Sequence, residues 1–185
     1  MDQFIRNAIL EVLKKHEGIL RIAVRQKAKF EGWLKFELAN YLEQNGMDNV
    51  EVESKFNNRR ERADISFFYH GEAYSLELKT PNTNWRVNGV KSLTRPITKN
   101  IESIVKDEVK LRNSQGIVAF VLFPVPLNDN RWEQYLYRIG EKTKITLDRK
   151  VNCTIMKLKV NEKEECNLII CAFKSRKRDR IYSFT

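Results

Sequence analysis

Residues 64 to 79 read Asp-Ile-Ser-Phe-Phe-Tyr-His-Gly-Glu-Ala-Tyr-Ser-Leu-Glu-Leu-Lys, and this stretch decides the fold. On both sides of His70-Gly71 the apolar side chains recur at every second position, which is the period of a β-strand. His70-Gly71 is a credible two-residue turn between two such strands. The pattern therefore predicts an antiparallel hairpin.

The length of this turn sets the register of the two strands. If His70 and Gly71 form the loop, Tyr69 pairs with Glu72, and Asp64 falls opposite Glu77 with Cβ atoms about 5 Å apart. Lys79 lies two residues beyond Glu77 and shares its face. A slip of one residue would move these side chains to opposite faces, so the predicted site depends on this register.

Two carboxylates this close repel each other, and their burial without a partner is costly. Oxygen ligands favour a hard cation such as Mg²⁺ or Mn²⁺. A divalent cation can polarise a phosphoryl oxygen, while the Lys79 ammonium can position water or stabilise developing charge. The hairpin thus indicates phosphodiester hydrolysis, and the alternative is an exposed strand face with structural salt bridges.

Composition narrows the class of protein. The chain has 185 residues, is 42% hydrophobic and carries a net charge of +10. These values favour one domain with a polyanionic partner such as DNA. No apolar run approaches the ~20 residues of a membrane span, and the amino terminus does not resemble a secretory signal, so we expect a soluble cytoplasmic protein with no membrane partner.

The three cysteines, Cys153, Cys166 and Cys171, are expected to be ordinary strand residues in a reducing compartment.

Positive charge is unevenly distributed along the sequence. No acidic residue occurs from Leu78 to Ile101, although this stretch contains five basic residues. A segment that is merely soluble normally mixes both signs, so we expect this one to bind phosphate. The candidate DNA-binding residues come from this stretch and from a basic cluster before the hairpin. They are Arg59, Arg60, Arg86, Lys91, Arg95 and Lys99.

A carboxylate also occurs among the apolar residues of a predicted helix at 31–44. Glu37 is spaced four residues from Trp33 and from Tyr41, which mark the apolar side. One interpretation is a boundary residue that pairs with an arginine or extends to solvent. The other is a third acidic ligand, placed where the helix crosses the sheet face that bears Asp64 and Glu77.

The predicted order of helix, three strands, helix and strand, with Ala63-Asp64 on the second strand and Glu77-Leu78-Lys79 on the third, resembles the PD-(D/E)xK nuclease superfamily. The similarity covers residues 31 to about 125, and the family's proline is replaced by Ala63. The series Glu37, Asp64, Glu77 and Lys79 is also similar to that of archaeal Holliday junction resolvases. Substrate structure depends on loops and oligomer geometry, which these four residues do not determine.

The resemblance implies a restriction-endonuclease-like α/β fold, with an αβββαβ core and a mixed central sheet flanked by helices, and Mg²⁺-dependent cleavage of DNA. It implies that Asp64, Glu77 and the Leu78 carbonyl hold the metal, that Lys79 acts on the attacking water, and that Glu37 matches an extra helix carboxylate. We expect a single domain with a helical extension at 1–30, a core at 31–125 and a carboxyl-terminal elaboration with a strand pair at 126–185.

Three functions follow from this interpretation. The first is a metal-dependent deoxyribonuclease of DNA repair, recombination or defence, and the second is a sequence-specific type II-like restriction endonuclease. The third is a catalytically silent nucleic-acid-binding module with the same fold. Two staggered cuts require two active sites, so a homodimer is a reasonable expectation.

Overall fold

The structure is a computed structural model that describes residues 1–54, 62–92 and 97–176. Over these residues the chain forms a mixed six-stranded sheet flanked by helices, so the predicted α/β class is confirmed. The elements in chain order are α1 (Asp2–Lys15), α2 (Glu17–Gln26), α3 (Glu31–Gln44), β1 (Asp48–Val52), β2 (Ile65–Tyr69), β3 (Glu72–Lys79), α4 (Thr98–Leu111), β4 (Gln115–Val125), α5 (Glu133–Thr143), α6 (Arg149–Asn152), β5 (Cys153–Lys159) and β6 (Glu165–Lys174).

The order of strands in the sheet is β1-β2-β3-β4-β6-β5. Strands β3 and β4 are parallel, and the other neighbouring pairs are antiparallel. Helix α4 carries the chain back from the end of β3 to the start of β4, as a parallel connection requires. The carboxyl ends of β3 and β4 therefore face the same edge of the sheet.

The β2–β3 hairpin has the predicted register. Tyr69 pairs with Glu72, and the ladder continues to Ile65 opposite Leu76. The turn residues His70 and Gly71 both have positive φ, 49° and 76°, as the tight turns of hairpins require. The turn and the register predicted for the hairpin are therefore confirmed, and the ladder ends one step before Asp64 and Glu77.

The sheet separates two hydrophobic cores. On one face, alternate strand residues such as Phe67 and Leu78 pack with α1 and α3. On the other face, Val118, Phe120 and Leu122 pack with α4 and α5. Strand β4 is buried along nearly all of its length, as expected of a central strand covered on both sides.

The terminal segments of the described chain belong to the same core as the central segment. Helix α1 buries Ile5, Ile9 and Leu13 and packs against β6. Strand β6 lies between β4 and β5 and is buried almost throughout. The segments predicted as an extension and an elaboration therefore contribute, together with residues 31–125, to the core on the α1 and α3 side of the sheet.

Two of the three cysteines are linked. Cys153 and Cys171 are directly opposite each other on β5 and β6, with Cα atoms 4.3 Å apart, and form a disulfide. Cys166 is a buried free thiol, and burial raises its pKa to about 12. All three lie in strands as predicted, but the expectation of ordinary strand residues did not anticipate the disulfide.

None of the helices in the described ranges combines the length and the apolar character that crossing a membrane requires.

Candidate functional site

The candidate site lies at the edge of the sheet where β3 ends, and residues from α3 and α4 join it there. Asp64 lies immediately before β2, and Glu77 and Lys79 are alternate residues of β3. Because side chains alternate along a strand, Glu77 and Lys79 share the face that α4 covers. The structure thus brings together the three residues predicted from the hairpin.

Asp64 is fixed by a backbone hydrogen bond and by two ammonium groups. The Leu78 amide donates to Asp64 Oδ2 at 2.9 Å, and Lys35 Nζ is 3.3 Å from Oδ1. Lys35 also pairs with Glu53 at 2.8 Å. Although burial alone would lower the pKa of Lys35, the carboxylates of Glu53 and Asp64 raise it, so the lysine remains positively charged.

The Lys79 ammonium lies among several oxygen atoms. It is 3.2 Å from Glu31 Oε1, 3.4 Å from Asp107 Oδ2 and 3.7 Å from Asp64 Oδ2. It also donates to the Leu78 carbonyl at 3.1 Å. Burial alone would lower the pKa of Lys79, but these carboxylates raise it above its usual value. At neutral pH the group is therefore a cation and a hydrogen-bond donor.

Glu77 is the most deeply buried carboxylate of the site, with 3% of its side chain exposed. Its partner is Lys110 of α4, whose Nζ is 2.5 Å from Oε1. Burial raises the pKa of Glu77 to about 7; the charges of Asp64 and Asp107 add to this effect, while Lys110 opposes it. Glu77 is therefore protonated more readily than an exposed glutamate.

Asp107 brings a further carboxylate from α4 and is 13% exposed. Burial raises its pKa, and the Lys79 ammonium opposes that shift. Asp107 and Lys110 are three residues apart, so both project from one side of α4 towards β3. Neither was identified from the sequence, because α4 carries polar residues on several sides and the period does not show which of them face the sheet.

The cluster carries more negative than positive groups. Among the described residues, direct ion pairs join five carboxylates to three ammonium groups. With all the carboxylates ionised, they outnumber the ammonium groups by two, and the positive charge of Arg62 also acts on Glu53. The carboxylates are Glu31, Glu53, Asp64, Glu77 and Asp107, and the ammonium groups are Lys35, Lys79 and Lys110.

Glu37 lies elsewhere, so its predicted placement over this sheet face is wrong. Its Oε2 is 3.2 Å from His16 Nε2, in a cleft between α1 and α3. Successive helix residues turn by about 100°, so Glu37 is on the side of α3 opposite Lys35, which contacts Asp64. The α3 carboxylate that reaches the site is Glu31, which contacts Lys79 and accepts a hydrogen bond from the Thr80 amide at 3.3 Å.

The candidate DNA-binding residues are only partly covered by the described chain. Arg86, Lys91 and Lys99 are exposed to solvent. Arg59, Arg60 and Arg95 lie outside the described residues.

No group of three or more His, Cys, Asp and Glu side chains within 1–54, 62–92 and 97–176 is arranged to hold a metal ion. At the candidate site, lysine ammonium groups lie between the carboxylates. The donors are nevertheless oxygen atoms from side chains and backbone, the set that Mg²⁺ and Mn²⁺ prefer. The type of donor and the excess negative charge therefore match the chemistry of a divalent cation, whereas the arrangement of the side chains does not.

Comparisons of the chain with protein-family models, with curated proteins and with solved structures found no match.

Proposed function

We propose that this protein is a metal-dependent DNA endonuclease with a PD-(D/E)xK-type site on a restriction-endonuclease-like core. The observation that supports this most strongly is the convergence of Asp64, Glu77 and Lys79 at the end of β3. The order α3, β1, β2, β3, α4 and β4 is the order on which the resemblance rests.

In this proposal Asp64, Glu77 and the Leu78 carbonyl hold Mg²⁺ or Mn²⁺, and Asp107 adds a nearby carboxylate. When bound, the cation polarises a phosphoryl oxygen and lowers the pKa of water. The excess of carboxylates supplies the electrostatic attraction for it.

Lys79 is the proposed electrostatic catalyst. Its raised pKa keeps it protonated, so it does not abstract a proton from water. Its N–H groups orient the attacking water or stabilise the negative charge that develops on the phosphoryl oxygens. Asp64 and Asp107 hold the ammonium in place, since both carboxylates lie within ion-pair distance of it.

DNA is the proposed substrate because the chain has an excess of ten positive charges and a long acid-free segment directly after Lys79. Within that segment Arg86, Lys91 and Lys99 are exposed to solvent. A sequence-specific restriction endonuclease is one kind of enzyme that this proposal includes.

A catalytically silent nucleic-acid-binding module is the second candidate. One observation favours it: each carboxylate of the cluster already has an ammonium partner, as in a structural salt-bridge network. This candidate predicts DNA binding without cleavage.

The test is to incubate supercoiled, linear, branched and single-stranded DNA with the purified protein in Mg²⁺, in Mn²⁺ and in EDTA. We expect cleavage only with the cation, and a loss of at least about a hundredfold in Glu77→Gln and in Lys79→Met. Glu72→Gln is the matched control, because Glu72 is exposed at the other end of β3. Equal cleavage by the control and the two site variants would contradict the assignment, and binding without cleavage would favour the silent module.

A further inference from the structure

An aromatic pair lies beside the loop that follows β3. The rings of Trp85 and Tyr135 are stacked, with centroids 5.5 Å apart and planes inclined by 25°. The Arg131 guanidinium lies over the Trp85 ring, 5.4 Å from its centroid. A stacked ring and a planar cation thus both lie against Trp85.

The backbone around Trp85 is held in place by hydrogen bonds. Lys27 Nζ donates to the Trp85 carbonyl at 3.0 Å. Two residues earlier, the Thr83 amide donates to the Phe123 carbonyl at 2.7 Å, and Thr83 Oγ1 donates to the Pro124 carbonyl at 2.5 Å. These contacts join the loop to the end of β4, so little conformational freedom remains to be lost when a ligand binds.

A second arginine–tryptophan pair in the molecule shows what differs here. Arg149 lies over Trp132, 5.8 Å from the ring centroid, but Trp132 is only 2% exposed and belongs to the core. Trp85 is partly exposed, and the side chain of Arg131 above it is 65% exposed. A flat ligand can therefore reach Trp85 by displacing one surface arginine and breaking its ion pair with Asp129, whereas Trp132 is enclosed.

The surroundings of the pair suit a nucleic acid strand. Trp85 follows Lys79 by six residues, and its loop is tied to the carboxyl end of β4, the edge of the sheet to which β3 also points. Arg86 is exposed beside it, and two positive charges, Arg138 and Arg131, and one negative charge, Asp129, act on the Tyr135 phenol. Aromatic rings next to arginines bind single strands by stacking on bases while cations contact phosphates.

We propose that Trp85 and Tyr135 form a stacking platform for an unpaired nucleobase. The base stacks on the Trp85 face that Arg131 covers, and the guanidinium turns to an adjacent phosphate. The inference rests on the proposed nuclease function and narrows its substrate class to DNA that contains a single-stranded segment.

The experiment is a titration of a short single strand that contains 2-aminopurine, in EDTA so that no cleavage occurs. Stacking on Trp85 quenches the 2-aminopurine fluorescence, and anisotropy of a labelled strand gives the Kd. We expect Trp85→Leu to abolish the quenching and weaken binding about tenfold, and Trp85→Phe to retain most of both. Circular dichroism establishes that each variant is folded.

Two matched controls are available in the chain. Tyr137→Leu removes an aromatic ring of α5 that is 69% exposed and outside the stacked pair. Arg149→Gln removes the guanidinium over the enclosed Trp132. Both variants should bind and quench as the unmodified protein does, within about twofold.

Equal quenching by Trp85→Leu and the unmodified protein, or tight binding to duplex alone, would overturn the platform. Trp85-dependent binding without cleavage in Mg²⁺ would contradict the proposed nuclease chemistry and leave the platform intact. Cleavage with binding that is independent of Trp85 would overturn the platform alone. Equal, Trp85-dependent binding of RNA of the same sequence would support stacking on an unpaired base and show that the sugar is not recognised.

Discussion

Two buried glutamates, Glu108 on α4 and Glu77 on β3, have very different surroundings. Glu108 has no exposed surface, and its carboxylate accepts hydrogen bonds at 2.7 to 3.0 Å from the Arg112 guanidinium and at 3.1 Å from the Arg176 amide. Glu77 is 3% exposed, has Lys110 as its ion-pair partner and lies within the electrostatic influence of Asp64 and Asp107.

Burial of a charged group therefore does not by itself indicate function. Several well-aligned donors satisfy Glu108, which is the condition for a structural buried carboxylate. Fewer donors surround Glu77, other carboxylates lie near it, and its pKa is raised to about 7. A bound cation stabilises the ionised form of a carboxylate in that environment, so Glu77 is the better candidate for a functional group.

Removal of the structural glutamate should have the largest effect on folding. Glu108→Ala leaves the Arg112 guanidinium and the Arg176 amide without this acceptor, so we expect the free energy of unfolding to fall by about 3–5 kcal/mol. Denaturant unfolding measures the change, with the surface variant Glu102→Ala as a control on the same helix. A loss below about 1 kcal/mol would contradict the structural role of Glu108.

The raised pKa of Glu77 predicts a pH-dependent stability in EDTA. The pKa is about 7 in the folded protein and about 4.5 when unfolded, so the folded state binds the proton more tightly. This contribution, about 3 kcal/mol, is fully present below pH 4.5 and is lost as the pH rises through about 7.

Unfolding of the unmodified protein and of Glu77→Gln from pH 4.5 to pH 8 measures this effect. The stability difference between the two should shift in favour of the variant as the pH rises. If the free energy of unfolding of both proteins depended on pH in the same way, Glu77 would titrate in the ordinary range of a glutamate. The proposed difference between Glu77 and Glu108 would then be wrong.

Glu37 provides a third glutamate, for which we expect the smallest effect. It is 30% exposed and pairs with His16, away from the candidate site. Glu37→Gln should leave DNA cleavage within about twofold and change the free energy of unfolding by less than about 1 kcal/mol.

Asp107→Asn, by contrast, should impair cleavage, because Asp107 contacts Lys79. If Glu37→Gln impaired cleavage and Asp107→Asn did not, Glu37 would belong to the site, as the helix pattern predicts.

The hairpin was predictable because two independent signals agree on its register. Alternation places the apolar residues, and the two-residue turn fixes which residues pair, so Asp64 opposite Glu77 follows from local sequence. The long apolar run of β4 likewise predicts a central strand.

The rest of the site depends on how helices cross the sheet, which local periodicity does not encode. Glu31 and Lys35 are four residues apart and read as a surface pair, yet both contact the site residues. Glu37 lies on the apolar side of α3 in sequence, but that side faces α1 at this point. The disulfide similarly depends on the pairing of β5 with β6, which places Cys153 opposite Cys171.

The most direct test of the central claim, that the end of β3 binds a divalent cation through Asp64 and Glu77, is isothermal titration of the protein with Mn²⁺ at pH 7. We expect one site per chain, with proton release from Glu77 that makes the heat depend on the buffer. Binding should be lost in Glu77→Gln and in Asp64→Asn and retained in Glu37→Gln. Absence of binding in the unmodified protein, or equal binding in Glu77→Gln, would contradict the account.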